Sequence, residues 1–351
     1  MLKVFKALLA LLFPLILTAL ALVWYLNSYL NKPLPLAEST EVFVLPPGTA
    51  YSSMVTLLAE RGWISKPYVL KIYGRLHPQA ADIKAGEYRF EEGMTVAESL
   101  AMMRLGDVVR HQLTLVEGWT LAQLLRYLET QDLLEKQELS QNADLWAQLN
   151  ITEPMAQEPE GLFFPDTYDY YRGDKVSLIL TRAYQRMQRV LADEWEARAD
   201  NLPYANPYEA LIMASIIEKE TGVAYERAEI AGVFVRRLQT GMRLQTDPTV
   251  IYGLGDSYQG NLRGSHLRDD SNTYNTYRQN GLPPSPIALA GREAIYAALH
   301  PADGDAVFFV AKGDGTHYFS ATLKEHEAAV KRYQVQKRRA DYRSAPPLPE
   351  K

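Results

Sequence analysis

The sequence predicts an α+β chain in three parts: a single N-terminal transmembrane helix, a small α/β subdomain, and a mixed, mainly helical domain with a small sheet. Three observations predict it. An uncharged apolar run opens the chain, a strand–turn–helix pattern recurs three times between about residues 41 and 132, and a capped helix that is apolar all round starts at Asn206.

Length and composition bound the answer. The 351 residues, 47% of them hydrophobic, are enough for two or more compact domains. A net charge of -5 gives no nucleic-acid footprint. Zero cysteines exclude disulfides and thiolate metal sites, and the six histidines (His77, His111, His266, His300, His317 and His326) show no metal-ligand spacing. No cofactor and no metal is expected.

At the N-terminus, Lys3 and Lys6 precede an uncharged run from Ala7 to Leu26, long enough to cross a bilayer as a helix. Trp24 and Tyr25 sit at its far end, where aromatic residues favour the interface, and the lysines predict a cytoplasmic N-terminus. A cleaved signal peptide is the competing reading, with Ala19-Leu20-Ala21 as the cleavage site. Leu22, Val23, Trp24 and Leu26 carry the apolar run past that site and favour a retained anchor. Pro33 and Pro35 then mark an extended linker.

The three repeated copies are VFVLPPGTAYSSMVTLLAERG, YRFEEGMTVAESLAMMRLG and LTLVEGWTLAQLLRYLETQ. In each, a threonine after the glycine can cap a helix, and leucine or methionine then recurs at helical spacing, as at Leu121, Leu124, Leu125 and Leu128. This pattern resembles the LysM-like modules of cell-wall proteins, although plain helix capping explains it equally well. Trp63, Trp119 and Trp146 can stack on sugar rings or serve as core. A helical stretch is expected around Leu133–Leu149, followed by the aromatic segment EGLFFPDTYDYY at Glu160–Tyr171 and an amphipathic helix over Leu178–Trp195.

The stretch from Asn206 to Asp247 organises the rest. Asn206 is a good N-cap, Pro207 suits the first helical position, Glu209 has capping-box spacing and Gly222 supplies a stop. Leu211, Ile212, Met213, Ala214, Ile216 and Ile217 cover the whole circumference, so the helix should be enclosed by protein. Glu218, in its last turn, should then have a raised pKa from apolar neighbours and the helix dipole, as a general acid requires. Glu220 points to nearly the opposite side. A structural Glu218, paired with Lys219, Arg227 or Arg236, is the alternative.

Further on, a second helix is expected over Ala224–Leu238, and LQTDPTVIY at Leu244–Tyr252 reads as a polar turn followed by a strand-like run. NTYNTY at 272–277 and GLPP at 281–284 supply amides, hydroxyls and tyrosines fixed by prolines, which suit a groove for hydroxyl-rich ligands. A hairpin around Gly313-Asp314-Gly315, a helix over Leu323–Lys337 and a disordered basic tail complete the chain.

With the Glu218 helix, QTDPTVIYG, NTYNTY and GLPP in this order, and EGLFFPDTY before them, the chain resembles the YceG-like (MltG) family of endolytic murein transglycosylases. The resemblance implies a bacterial inner-membrane protein with a single pass, its N-terminus in the cytoplasm and its catalytic domain in the periplasm. The implied boundaries are 1–6 cytoplasmic, 7–26 transmembrane, 27–40 linker, 41–132 LysM-like subdomain, 133–205 connecting helices, 206–335 catalytic domain and 336–351 tail. The implied activity is that of a lyase: cleavage of the bond between N-acetylmuramic acid and N-acetylglucosamine within nascent peptidoglycan strands, leaving 1,6-anhydromuramic ends and terminating elongation.

Glu218 matches the family's catalytic glutamate, and Gln245, Asp247, Asn275 and Tyr277 match residues of its cleft. Lys219 stands where ordinary lytic transglycosylases usually carry serine. Peptidoglycan strands, the inner membrane and peptidoglycan synthases are the implied partners. Two other classes remain open: a non-catalytic, membrane-tethered peptidoglycan-binding scaffold, and a hydrolase using Asp247 as a second carboxylate.

Overall fold

The apolar N-terminal run forms one helix, α1 (Leu2–Leu30), and the computed structural model describes residues 2–135, 149, 151 and 159–336 of the chain. The segment Leu12–Leu30 has a mean hydropathy of 1.5 and is long and apolar enough to cross a membrane. Pro14 sits inside α1, and the Thr18 hydroxyl donates to the Pro14 carbonyl at 2.8 Å. Leu15 and Trp24 are each 72% exposed, whereas Tyr29 is buried.

The chain divides into two compact units. One comprises Met1–His111 with Asp169–Asp174, the other Gln112–Tyr168 with Lys175–Lys351.

The first unit is built on a two-stranded antiparallel sheet, β1 (Thr40–Leu45) against β2 (Gly86–Glu91), with Phe43 opposite Tyr88. Between these strands run α2 (Tyr51–Glu60) and α3 (Pro67–Leu76), and α4 (Val96–Leu105) follows β2. Alternate strand residues point inward, so Phe43 and Phe90 stack at 5.8 Å and Trp63 meets Phe90 edge-on at 5.3 Å. Trp63 is therefore core. Removing one such ring would cost about 3–5 kcal/mol.

The α4 cap follows the sequence reading, because Thr95 and Glu98 form a full capping box and Gly106 ends the helix at φ 75°. Thr49, its counterpart in the first copy, instead donates its hydroxyl to the Pro46 carbonyl and leaves Ala50 as an uncapped N-cap.

The third copy has its helix in the second unit. Strands β3 (His111–Thr114) and β4 (Thr167–Tyr170) pair, and the Leu115 N–H extends the ladder to the Asp166 carbonyl at 2.9 Å. Helix α5 (Leu121–Glu129) follows, with Thr120 and Gln123 forming its capping box. The buried Glu160 carboxylate accepts the Leu121 N–H at 2.9 Å and the Tyr252 hydroxyl at 3.0 Å. The EGLFFPDTY segment thus ties the start of α5 to the body of the unit. Most of the helical stretch expected at 133–149, Trp146 and the tail beyond 336 fall outside the described residues.

The core of the second unit is helical. Helix α6 (Val176–Glu196) precedes α7 (Pro207–Glu220), and α8 (Arg227–Gln239), α9 (Asp247–Leu254), the short α10 (Gly264–Leu267) and α11 (Arg292–Leu299) follow. The strand-like run after Thr246 is a helix, which corrects the sequence reading. Pro248 in the first turn is compatible with a helix start, and the β-branched residues Thr249 and Val250 are buried as helix residues rather than strand residues. Strands β5 (Phe308–Ala311) and β6 (His317–Ser320) form the expected hairpin, and α12 (Leu323–Val330) continues into a π-helical turn over Lys331–Gln336.

Candidate active site

Helix α7 is enclosed as its sequence requires, since Tyr208 and every residue from Ala210 to Ile217 are buried. Asn206 caps it, its side-chain oxygen accepting the Glu209 N–H at 3.0 Å. The Glu209 carboxylate reaches one residue further back, to the Ala205 N–H at 2.7 Å, so the reciprocal half of the capping box is displaced. Thr221 closes the C-terminus, leaving Glu218, Lys219 and Glu220 in the final turn, where side chains emerge from the core.

Glu218 faces the segment that leads into α11. Ser215 Oγ accepts the Ile287 N–H at 2.9 Å, and one turn later Glu218 Oε2 accepts the Gly291 N–H at 3.0 Å. Two α7 side chains therefore hold one loop by its backbone. Desolvation pushes the Glu218 carboxyl up to about 6; the Gly291 N–H, Arg227 and Lys219 oppose this, and Glu117 adds to it. A half-buried carboxyl of this kind gives and takes a proton near neutral pH.

Glu220 turns the other way, as the helical spacing predicts. The Thr246 hydroxyl donates a short hydrogen bond to its carboxyl, which desolvation, with a contribution from Asp247, pushes up to about 7. Lys219, Glu220, Gln245, Asp247 and Tyr277 border a cavity of about 1020 Å³. The Tyr277 hydroxyl donates to Asp247 Oδ1 at 2.8 Å. Gln245 sits at φ 52°, a left-handed conformation that costs a non-glycine residue about 1 kcal/mol or more, with its N–H on the Thr276 carbonyl at 3.2 Å.

Three of the four cleft residues expected from the sequence thus gather around Glu220, and Glu218 is not among the residues bordering that cavity. The fourth, Asn275, is fully buried. Its amide donates to the carbonyls of His266, Leu267 and Asp269, and its oxygen accepts the Tyr277 N–H at 3.1 Å, so it shapes the loop that carries Tyr277. Among the described residues, no group of three or more His, Asp or Glu is arranged to hold a metal ion.

One acidic residue near the site was missed by sequence reasoning. Glu117, in the turn of the third repeat, belongs to the same unit as Glu218, and its carboxylate lies against the Cα of Gly291. Nothing local marks it, because the contact joins residues more than 170 positions apart.

The sequence model of the YceG-like family matches residues 43–332. The chain belongs to the YceG-like family. The matched residues begin after α1 and include Glu117, Glu218, Glu220 and the cavity residues. An endolytic murein transglycosylase of Bacillus subtilis is 28% identical to this YceG-like chain over 320 residues, covering 87% of the chain and 88% of the relative. One from Streptococcus pneumoniae is 25% identical over 335 residues, covering 86% of the chain and 60% of that longer relative. A crystal structure of a yceG-like protein from Listeria monocytogenes aligns with a TM-score of 0.53 and 30% identity, over 83% of this chain and 98% of that one.

Proposed function

We propose that this YceG-like protein is a peptidoglycan-cleaving lytic transglycosylase that cuts within glycan strands, with Glu218 as its acid. The observation that carries the reading is a half-buried carboxyl, raised to about 6, at the end of an enclosed helix. It occurs in a chain similar along most of its length to proteins named endolytic murein transglycosylases.

One carboxyl suffices for the chemistry. Glu218 gives its proton to the glycosidic oxygen between N-acetylmuramic acid and N-acetylglucosamine as the bond to the muramic C1 breaks. The muramic C6 hydroxyl oxygen then bonds to C1, and its proton returns to Glu218. The product is a 1,6-anhydromuramic end, and no water is consumed. Activity should fall as pH rises through about 6, because the acid must start protonated. Gln245, Asp247 and Tyr277 bind the strand in the neighbouring cavity, while Asn275 acts by shaping the loop that carries Tyr277.

Helix α1 anchors the protein in the bacterial inner membrane with its N-terminus in the cytoplasm, and both compact units work in the periplasm. The strand–helix–helix–strand body of the first unit supports a LysM-like, glycan-contacting role, and nearby peptidoglycan synthases would supply the nascent strands.

A second reading assigns the acid to Glu220, because the cavity residues surround it. Mass spectrometry of uncross-linked strands incubated with the detergent-solubilised full chain separates these. Anhydro ends from the wild type and from Glu220→Gln, but not from Glu218→Gln, support Glu218. Hydrated ends point to a hydrolase, and intact strands with folded protein to a binding scaffold.

A further inference from the structure

The turn after β3 is fastened to the loop that Glu218 holds. The Gly118 N–H donates to the Leu289 carbonyl at 2.8 Å, and the Leu289 N–H donates to the Trp119 carbonyl at 2.7 Å. Lys219 Nζ donates to the Gly118 carbonyl at 3.1 Å. These bonds set Glu117 over Gly291, where a Cβ would fall 2.0 Å from Glu117 Oε1 and 2.5 Å from its Cδ. Gly291 has φ -75°, which any residue adopts, and its missing side chain leaves the space that the Glu117 carboxylate occupies.

Glu218 holds the N–H of that same glycine, and bond lengths bring the two carboxylates to within about 8 Å of each other. The cations around Glu218 are already engaged. Arg227 bonds the Glu293 carboxylate and Lys219 bonds the Gly118 carbonyl, and Glu160 also acts on Lys219. Glu117 itself is exposed and has no hydrogen bond or ion pair to its carboxylate among the described residues. Its charge is therefore not neutralised locally and adds to the field at Glu218.

We propose that Glu117 is the second functional carboxylate of this site, a positioning residue that acts through Glu218 across Gly291 to keep the acid protonated. This rests on Glu218 being the acid. A nearby anion disfavours ionisation of its neighbour, and a general acid that is neutral at working pH needs such a device. The sign of the effect on Glu218 agrees with this geometry.

The test is the pH profile of strand cleavage by the full chain, run with a carboxyl-carbon NMR titration of Glu218 assigned by its absence in Glu218→Gln. In Glu117→Gln, the alkaline limb and the Glu218 midpoint should both move to lower pH, with cleavage at pH 7.5 falling about three- to tenfold and cleavage at pH 5 nearly unchanged. Glu117→Asp should restore part of the shift. Gly291→Ala, which pushes the Glu117 carboxylate aside, should give the same displacement, and the double variant no more than either single one. A Glu218 midpoint unmoved in Glu117→Gln overturns the proposal whether or not strands are cut. A moved midpoint with cleavage surviving in Glu218→Gln keeps the coupling and removes Glu218 as the acid.

Discussion

Glu218 and Glu220 stand two residues apart on the same helix end, and both are raised by desolvation, yet their partners differ in kind. Glu218 accepts the backbone N–H of a glycine against which a second carboxylate, that of Glu117, lies, whereas Glu220 accepts a hydroxyl and sits beside a bound Asp–Tyr pair. Glu220 joined to Thr246 brackets α7 to the start of α9, and desolvation favours its neutral form although the Thr246 hydroxyl opposes this. Glu218 meets charge on several sides and can pass a proton. The comparison teaches that a raised pKa alone does not nominate an acid; the groups around it do.

The sharpest break in that comparison is chemical. Glu218→Gln should lower the rate of anhydro-end formation by about 10²–10⁴-fold, because it keeps the shape and removes the proton. Steady-state cleavage assays at pH 5.5 check this. An equal loss in Glu220→Gln would erase the distinction.

A smaller effect is expected in the cavity. Tyr277→Phe frees Asp247 from its hydroxyl donor and should raise KM about three- to tenfold with kcat changing less, as the loss of a binding contact does. A fall in kcat at unchanged KM would instead put this pair in the chemistry.

Glu220 predicts a change in stability more than in rate. Its folded pKa, about 7, lies above the ordinary value of 4.5, so its contribution to stability is whole below about pH 4.5 and is lost as pH rises through about 7. Glu220→Gln should cut strands within about threefold of the wild-type rate, while the decline in denaturation midpoint between pH 5 and pH 8 becomes shallower. An unchanged slope would mean that Glu220 is not buried in its neutral form.

Much of this was legible in the sequence where the controlling physics is local. The Asn206 cap, the all-round apolar character of α7 and the divergence of Glu218 from Glu220 follow from residue types and helical spacing. So do the Thr95 and Thr120 capping boxes. The run after Thr246 was misread because Thr249, Val250 and Ile251 are β-branched or apolar without a break, although the Asp-Pro pair before them was a helix-start signal. Asn275 shows a different limit. Its residue type tells that it will hydrogen-bond, and only the folded loop tells that its partners are carbonyls of its own neighbourhood rather than a ligand. Glu117 was hidden altogether, since its repeat grouped it with the first unit and its partner glycine is far along the chain.

In the proposed lytic reaction Glu218 supplies and recovers the proton. The most direct test of this role is mass spectrometry of the new ends made by wild type, Glu218→Gln and Glu220→Gln from one preparation of uncross-linked strands. The expected result is anhydro ends, lighter by one water than hydrated ones, from wild type and Glu220→Gln and none from a folded Glu218→Gln. Anhydro ends from Glu218→Gln at a rate near the wild type would contradict it.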